Sequence, residues 1–339
     1  MTTRLSIDLH ARRWSILAAA FLALVAAPGI PAADNEAPRA PGEWARRAPL
    51  PEQRTEVSVA TDGELIYLLG GFGREGERQA SAPRTVYAYD PDADAWSAIG
   101  ELPEGVNHAG LVALDGELYV VGGYRENSFE PTAAVRIYDP GTGAWRDGAP
   151  LPTARGALAV AVLDGRIHAI GGTVDGRRSV GTHEVYDPAA DGWSARAPMP
   201  TARNHHGAAV VDGRIHVPAG RVDDEFRLTV HEVYDPGTDG WSEAAPVPTG
   251  RSGIAVVALD GRVYVFGGET FGGERRTFDE AERYDPATDG WAALPPMPTA
   301  RHGLGAAVVG GSIYVIAGGP EPGFAFSDAN ERLTPGDAP

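Results

Sequence analysis

Residues 151–193 read LPTARGALAVAVLDGRIHAIGGTVDGRRSVGTHEVYDPAADGW. Two short apolar runs, Ala157–Leu163 and Ile167–Ile170, flank Asp164-Gly165. An Asp-Gly between such runs predicts a β-hairpin, because both central residues of a type I′ turn need positive φ. The second run ends in Gly171-Gly172, and a polar loop leads to a third run, Glu184-Val185-Tyr186. Asp187-Pro188 then supplies a turn before Trp193. The pattern predicts four antiparallel strands, designated a to d.

The unit recurs. Asp-Gly begins at Asp62, Asp115, Asp164, Asp212 and Asp260, and becomes Gly310-Gly311 in the last copy. Glycine pairs begin at Gly70, Gly122, Gly171, Gly267 and Gly318, with Ala219-Gly220 as the lapse. Tyr-Asp-Pro recurs at Tyr89, Tyr138, Tyr186, Tyr234 and Tyr284. Seven residues after each stands a tryptophan: Trp96, Trp145, Trp193, Trp241 and Trp291. Four-stranded units repeating every 48 to 52 residues predict the blades of a β-propeller.

A hydrophobic run, a glycine pair, then Tyr and Trp with six residues between them resembles the kelch repeat. The resemblance covers nearly all of the chain after its leader. It implies an all-β, six-bladed kelch β-propeller with four antiparallel strands per blade. It also implies that the glycines admit aromatic side chains close to the backbone, and that the Tyr and Trp are core.

Both ends are incomplete repeats. Trp44, in GEWARRAPLP, matches the strand d segment GWSARAPMP of Gly192–Pro200 but has no strands a to c before it. The last copy reaches Asn330-Glu331-Arg332-Leu333 and has no tryptophan. The N-terminal strand is therefore expected to complete the last blade, removing the exposed edges of an open ring. The propeller is expected over 42–334, with a linker at 33–41 and a tail at 335–339.

Residues 1–32 read as a signal peptide: Arg4, Arg12 and Arg13, an apolar run from Trp14 to Ala27, then Ile30-Pro31-Ala32 as a cleavage site. Fourteen apolar residues are short for a membrane span, so no integral span is expected after cleavage. Arg12-Arg13 also resembles a twin-arginine signal, and the export route stays open. An exported protein, periplasmic or secreted, is expected, and as a monomer.

Composition narrows the function. Removing the leader takes three arginines and one aspartate, leaving 26 basic against 45 acidic residues, net −19. That balance argues against nucleic acid and anionic lipid as partners. No lysine occurs, which excludes a Walker A loop and Schiff-base chemistry. No cysteine occurs either, which excludes disulfides and a lipoprotein anchor. Gly71–Gly76 matches GxGxxG, but a strand rather than a helix follows it, so no nucleotide site is expected.

Most copies carry Pro-Thr-(Ala/Gly)-Arg before strand a: Arg155, Arg203, Arg251 and Arg301, with Arg54 near the same place and Val106 breaking the series. In a kelch blade strand a is innermost, so the resemblance puts these arginines near the mouth of the central channel. Two readings stay open: an anion-binding ring, or ties between loops. Asn107, His108, His205, His206 and His302 fall in the same region, with Asn204 beside His205. His205 and His206 cannot both face the axis, since neighbours in a strand point oppositely. No acidic residue at matching positions is seen to complete a metal set, so no metal and no cofactor are expected. His168, His183, His216 and His231 read as ordinary sheet residues.

The loops between strands b and c vary most and mix charge with aromatics, including Phe72, Tyr124, Phe129, Phe226, Phe271 and Phe324. Variable loops on a rigid scaffold carry recognition. Among kelch enzymes, copper radical oxidases need a Tyr–Cys crosslink, excluded here, and the Glu-x3-Asp-x3-His motif of the iron-dependent specifier proteins is absent. The expectation is a non-catalytic module binding a protein or an anionic glycan. Its ligand residues would be Arg54, Asn107, His108, Arg155, Arg203, His205, Arg251, Glu269, Arg301 and His302. The alternative is similarity to bacterial kelch proteins that interconvert sialic acid anomers, with the arginines as carboxylate clamp and Glu269 or a histidine as proton carrier.

Overall fold

The structure is a computed structural model that describes residues 40–336 apart from 76–77, 80–81 and 272. The expected leader, nearly all of the linker and residues 337–339 lie outside the described residues.

Six four-stranded antiparallel sheets carry the expected order a-b-c-d around one ring. In blade three the strands are Ala159–Leu163, Arg166–Ile170, His183–Asp187 and Gly192–Ala195. Its first turn has Asp164 at φ 52° and Gly165 at φ 69°, both left-handed as a type I′ turn demands. Blade one differs. Four residues join Ser58–Thr61 to Ile66–Leu69, with the Asp62 carboxylate accepting the N–H groups of Glu64 and Leu65. The extra Glu64-Leu65 makes this an Asx-type turn rather than a two-residue hairpin.

The ring closes through its N-terminal strand. Gly42–Arg46 pairs with Asn330–Pro335 as strand d of blade six, with Trp44 opposite Leu333. Trp44 Nε1 donates to the Pro295 carbonyl at 2.9 Å. Trp96, Trp193, Trp241 and Trp291 donate likewise to Ala48, Ala149, Ala197 and Ala245. Each carbonyl lies in the segment arriving from the preceding blade, so each indole ties strand d to its neighbour. In four blades the Tyr hydroxyl donates to an aspartate five residues on, as in Tyr186 to Asp191 at 2.6 Å. Blade two has Gly143 there instead. Its Tyr138 hydroxyl donates to the Ile99 carbonyl, and Trp145 Nε1 has no partner.

The core is six apolar wedges between adjacent blades. One joins Val121 and Ile137 of blade two to Ile167, Ala169 and Tyr186 of blade three. Strand a residues such as Val59, Val160, Val210, Val256 and Val308 line the channel.

The glycine pairs do more than the resemblance implies. Most of them lie close to a carbonyl of the next blade, and Gly171 also meets the His206 ring. A Cβ on Gly122 would stand 2.6 Å from the Arg155 carbonyl, and the N–H of Gly123 donates to that same oxygen at 2.9 Å. Every blade repeats this bond to the next, through to Gly318 and Arg54. The last pair is therefore Ala317-Gly318, one residue earlier than the sequence pattern suggests.

Candidate functional site at the channel mouth

The five repeated arginines are not a ring of free guanidinium groups. Arg54, Arg155, Arg203, Arg251 and Arg301 are all 0 % exposed. Arg155 pairs with Glu184, Arg203 with Glu232, Arg251 with Glu282 at 2.5 Å, and Arg301 with Glu331 at 2.6 Å. Each guanidinium also donates to backbone carbonyls, as Arg203 does to Thr201 and Val217. Burial pushes Arg155, Arg203 and Arg301 below the usual arginine value, and the paired glutamates oppose that shift. The glutamate sits in strand c, two residues before the Tyr in blades three to five.

Blades one and two depart from the pair in different ways. In blade one Tyr87 occupies the glutamate position. Arg54 stacks on its ring at 5.1 Å and pairs with Glu52 at 3.2 Å, a carboxylate that also accepts the Tyr87 hydroxyl. Blade two has Val106 for the arginine, and Arg136 stands where the glutamate would be. In blade two alone, arginine and glutamate are lost together. These five residues therefore clamp strand a to strand c and offer no charge to a ligand. Their burial also removes the carboxylate clamp on which the anomer-interconverting alternative relied.

What does face the axis lies two residues further on. There every blade turns left-handed: Glu56 (φ 54°), His108 (φ 50°), Ala157 (φ 54°), His205 (φ 52°), Gly253 (φ 68°) and Gly303 (φ 58°). Each N–H donates to the carbonyl of its counterpart in the preceding blade. Ala157 reaches His108 at 2.9 Å, Gly253 reaches His205 at 2.9 Å, and Glu56 closes the circle on Gly303 at 2.7 Å. The result is a ring of six backbone hydrogen bonds around the channel mouth. A left-handed conformation costs an L-residue with a Cβ roughly 1–2 kcal/mol, and three of these positions hold large polar side chains.

Those side chains meet others from the loops. His108 Nε2 lies 3.1 Å from Glu56 Oε2. His302 Nε2, from blade six, lies 3.7 Å from Glu56 Oε1 and 3.5 Å from Glu269 Oε2. Arg221, from the loop after strand b of blade four, donates to His205 Nε2 at 2.9 Å and to Asn204 Oδ1 at 3.2 Å. Its Nη1 is 3.4 Å from Glu269 Oε1. The rings of His108 and His205 stand edge to face, 4.9 Å apart. Burial holds both imidazoles below their ordinary value, with Arg221 adding to it, and pushes the Glu269 carboxyl up.

Asn107, His108, His205, Glu269 and His302 thus come together, while the arginines do not face this cluster. His205 faces the axis and His206 turns into the blade interface, where Nε2 donates to the Ile170 carbonyl. Burial, with Arg203 nearby, lowers His206 to about 3. Glu56 and Arg221 escaped the sequence reading. Glu56 corrects the expectation that no acidic residue occupies a matching position: it follows Arg54 by the same two residues that separate His205 from Arg203. Arg221 lies in a loop whose length and content vary, so no repeat points to it.

Above the cluster lies an aromatic layer. Phe72 packs on His108, Phe129 and Phe324 with centroids 5.8, 6.3 and 5.5 Å away. Beside it opens a cleft of about 620 Å³ lined by Tyr124, Phe129, Arg177, Arg178, Asp223, Asp224 and Phe226, with His205 and Arg221 at its base.

A ring of six four-stranded blades with its variable loops gathered at one mouth defines a β-propeller of the interaction-module class. The kelch motif model matches residues 53–103, 106–152, 154–200 and 250–298, more than half of the chain. The chain therefore belongs to the kelch family. Among curated relatives, it is 33% identical over 84 residues to Kelch-like protein terF of Aspergillus terreus, covering 24% of this chain and 18% of that one. It is also 33% identical over 81 residues to Kelch-like protein 9 of Mus musculus, covering 24% and 13%. For Beta-scruin of Limulus polyphemus the match is 33% over 81 residues, 24% and 8%. The matched segments thus span less than a fifth of these relatives' length.

Proposed function

We propose that this kelch propeller binds a protein partner on its loop face, with the aromatic layer and adjacent cleft as the contact surface. One observation carries the reading. Phe129 and Phe324, at 50 % and 58 % exposure, are the exposed large hydrophobic residues among those described, and both pack on Phe72 over the channel mouth. Exposed aromatics beside arginines are the residue types that anchor protein interfaces. Arg221 and Arg275 already stack on Phe226 and Phe271, which stiffens the rim of the cleft. The signal-peptide reading of residues 1–32 supports export, and with it a partner met outside the cytoplasm.

Selection of a displayed peptide library on the immobilised protein tests the reading. Enriched peptides are expected to lose at least ~10-fold in affinity, the weight of one anchor residue, in Phe129→Ser and Phe324→Ser. Both side chains are half-exposed, so both variants fold. Peptides indifferent to both substitutions overturn the loop-face reading. Enrichment of no peptide, together with binding on a glycan array, replaces the protein partner with a carbohydrate. Export is checked separately by N-terminal sequencing of protein from outside the cytoplasm, with a mature chain beginning at Ala33 expected.

A further inference from the structure

The axis cluster lies below the proposed contact surface, and its geometry points to a different chemistry. We propose that Glu56, Glu269 and His302 bind one divalent transition-metal ion at the mouth of the channel.

The argument begins with the tautomers. His302 Nδ1 faces the Gly319 carbonyl at 3.1 Å, so that nitrogen carries the proton and Nε2 presents a lone pair. His108 Nδ1 lies 2.6 Å from Asn107 Oδ1. The Asn107 amide is oriented by Nδ2, which donates to the carbonyls of Glu126 and Ser128, so its oxygen is the atom facing His108. Asn204 is oriented in the same way by Ser179 and accepts from His205 Nδ1. All three imidazoles therefore aim a lone pair inwards. A histidine whose other N–H is held by a carbonyl oxygen is the arrangement found behind metal ligands.

The second observation is His302 itself. It is 0 % exposed, and its Nε2 has no hydrogen-bond partner. Its neighbours are carboxylate oxygens at 3.5 and 3.7 Å, belonging to Glu269 and Glu56. Those distances are too long for a hydrogen bond. They match the separation of about 3.4 Å between two donors on one ion with bonds near 2.1 Å. Together with Glu56 and Glu269, this nitrogen has its ligand atom within 4.8 Å of the others. Glu269 already accepts the Gly323 N–H and lies beside the Arg221 guanidinium, and a cation between the three supplies the partner that His302 Nε2 lacks.

The neighbours set limits. Arg221 occupies the lone pair of His205 and so withdraws it from the ligand set. One imidazole with two carboxylates suits zinc, iron(II) or manganese(II) rather than calcium or magnesium. Three protein ligands leave a coordination position, and a cavity of about 100 Å³ bounded by Glu56, His108 and His205 lies beside it.

Titration of the full chain with Zn²⁺ after chelator treatment and dialysis is the test, with Co²⁺ absorption in the visible as a second readout. One ion per chain is expected. Glu56→Gln and Glu269→Gln keep shape while removing charge, and each should weaken binding by at least ~100-fold. His302→Ala should abolish it, and circular dichroism establishes whether that variant folds; the two isosteric variants decide the matter if it does not. Phe129→Ser should bind zinc as the wild type does, so that loss of peptide binding and loss of metal binding fail independently. Absence of saturable one-to-one binding overturns the proposal, as does undiminished affinity in both glutamine variants.

Discussion

Arg203 and His205 are separated by one residue, and their surroundings differ in kind. Arg203 belongs to a clamp repeated around the ring, in which a buried guanidinium meets a strand c carboxylate and backbone carbonyls. His205 belongs to a cluster that the blades do not build to one pattern: glutamate, histidine, alanine, histidine, glycine and glycine occupy its six equivalent positions. The clamp keeps ordinary backbone angles and its guanidinium groups meet carboxylate and carbonyl oxygens, although the Nε atoms of Arg54, Arg155 and Arg203 are buried without a partner. The cluster holds left-handed residues that carry a Cβ, and an unpartnered buried nitrogen. In a repeat protein, recurrence marks what every blade needs to close. Departure from the repeat at a geometrically fixed position marks what the molecule keeps for something else.

The largest way to break this comparison is at the clamp. Arg203→Ala leaves Glu232 buried without its cation and should cost about 3–5 kcal/mol of unfolding free energy in a denaturant titration. Arg203→Met combined with Glu232→Leu removes both charges and should recover most of that loss. A single substitution costing under ~1 kcal/mol would return the arginines to a surface role and restore them as ligand residues.

Acid comes next. His168 and His216 are lowered to about 4, and His183 and His231 to about 3, in each case chiefly by burial within blades three and four. The unfolded chain takes up protons at these sites as pH drops below about 6.5, while the folded chain does not. Their contribution is therefore fully present above that value and is lost as pH falls from there towards 3. The cost should exceed about 1 kcal/mol for each histidine pair. Unfolding followed between pH 7 and 4 should show it, and His168→Gln with His183→Gln should flatten the slope. An unchanged slope in that double variant would remove these histidines from the account.

Much of this was legible beforehand, and the reason is periodicity. The turn glycines, the Tyr-Asp-Pro corner and the tryptophans recur because each blade solves the same packing problem, and six copies make the solution visible. Closure by Trp44 could be read because one defect matched another. The site was legible only in part. The histidines stood out as deviations, but Glu56 hid because Arg54 was aligned loosely, and two residues more would have placed it. The choice between an anion-binding ring and ties stayed open because Glu184, Glu232 and Glu282 were not matched to the arginines; the loss of the glutamate in blade two, together with the arginine, was the available signal. Arg221 carried none, since loop residues obey no repeat.

A smaller effect sharpens the comparison directly at the ring. Ala157→Gly gives blade three the residue that blades five and six already have at a left-handed position. It should stabilise the fold by about 1 kcal/mol, because the Cβ is strained there. Glu56→Gly should relieve the same strain while abolishing the ion site. Stability rising as binding is lost would show that the strain is maintained for the cluster. Both variants falling in stability would mean that the side chains themselves hold the ring together.

The smallest effect concerns the tryptophans. Trp193 donates to the Ala149 carbonyl, whereas Trp145 in blade two has no acceptor, and the Tyr138 hydroxyl beside it donates to the Ile99 carbonyl. Replacing either indole with phenylalanine removes similar apolar area, so the difference between the two variants isolates the hydrogen bond. Trp193→Phe should cost about 1 kcal/mol more than Trp145→Phe, the value of one neutral hydrogen bond with its acceptor left behind. Equal costs would mean that the indole contributes through packing alone, and that the recurrent bond to the preceding blade is a consequence of closure rather than one of its causes.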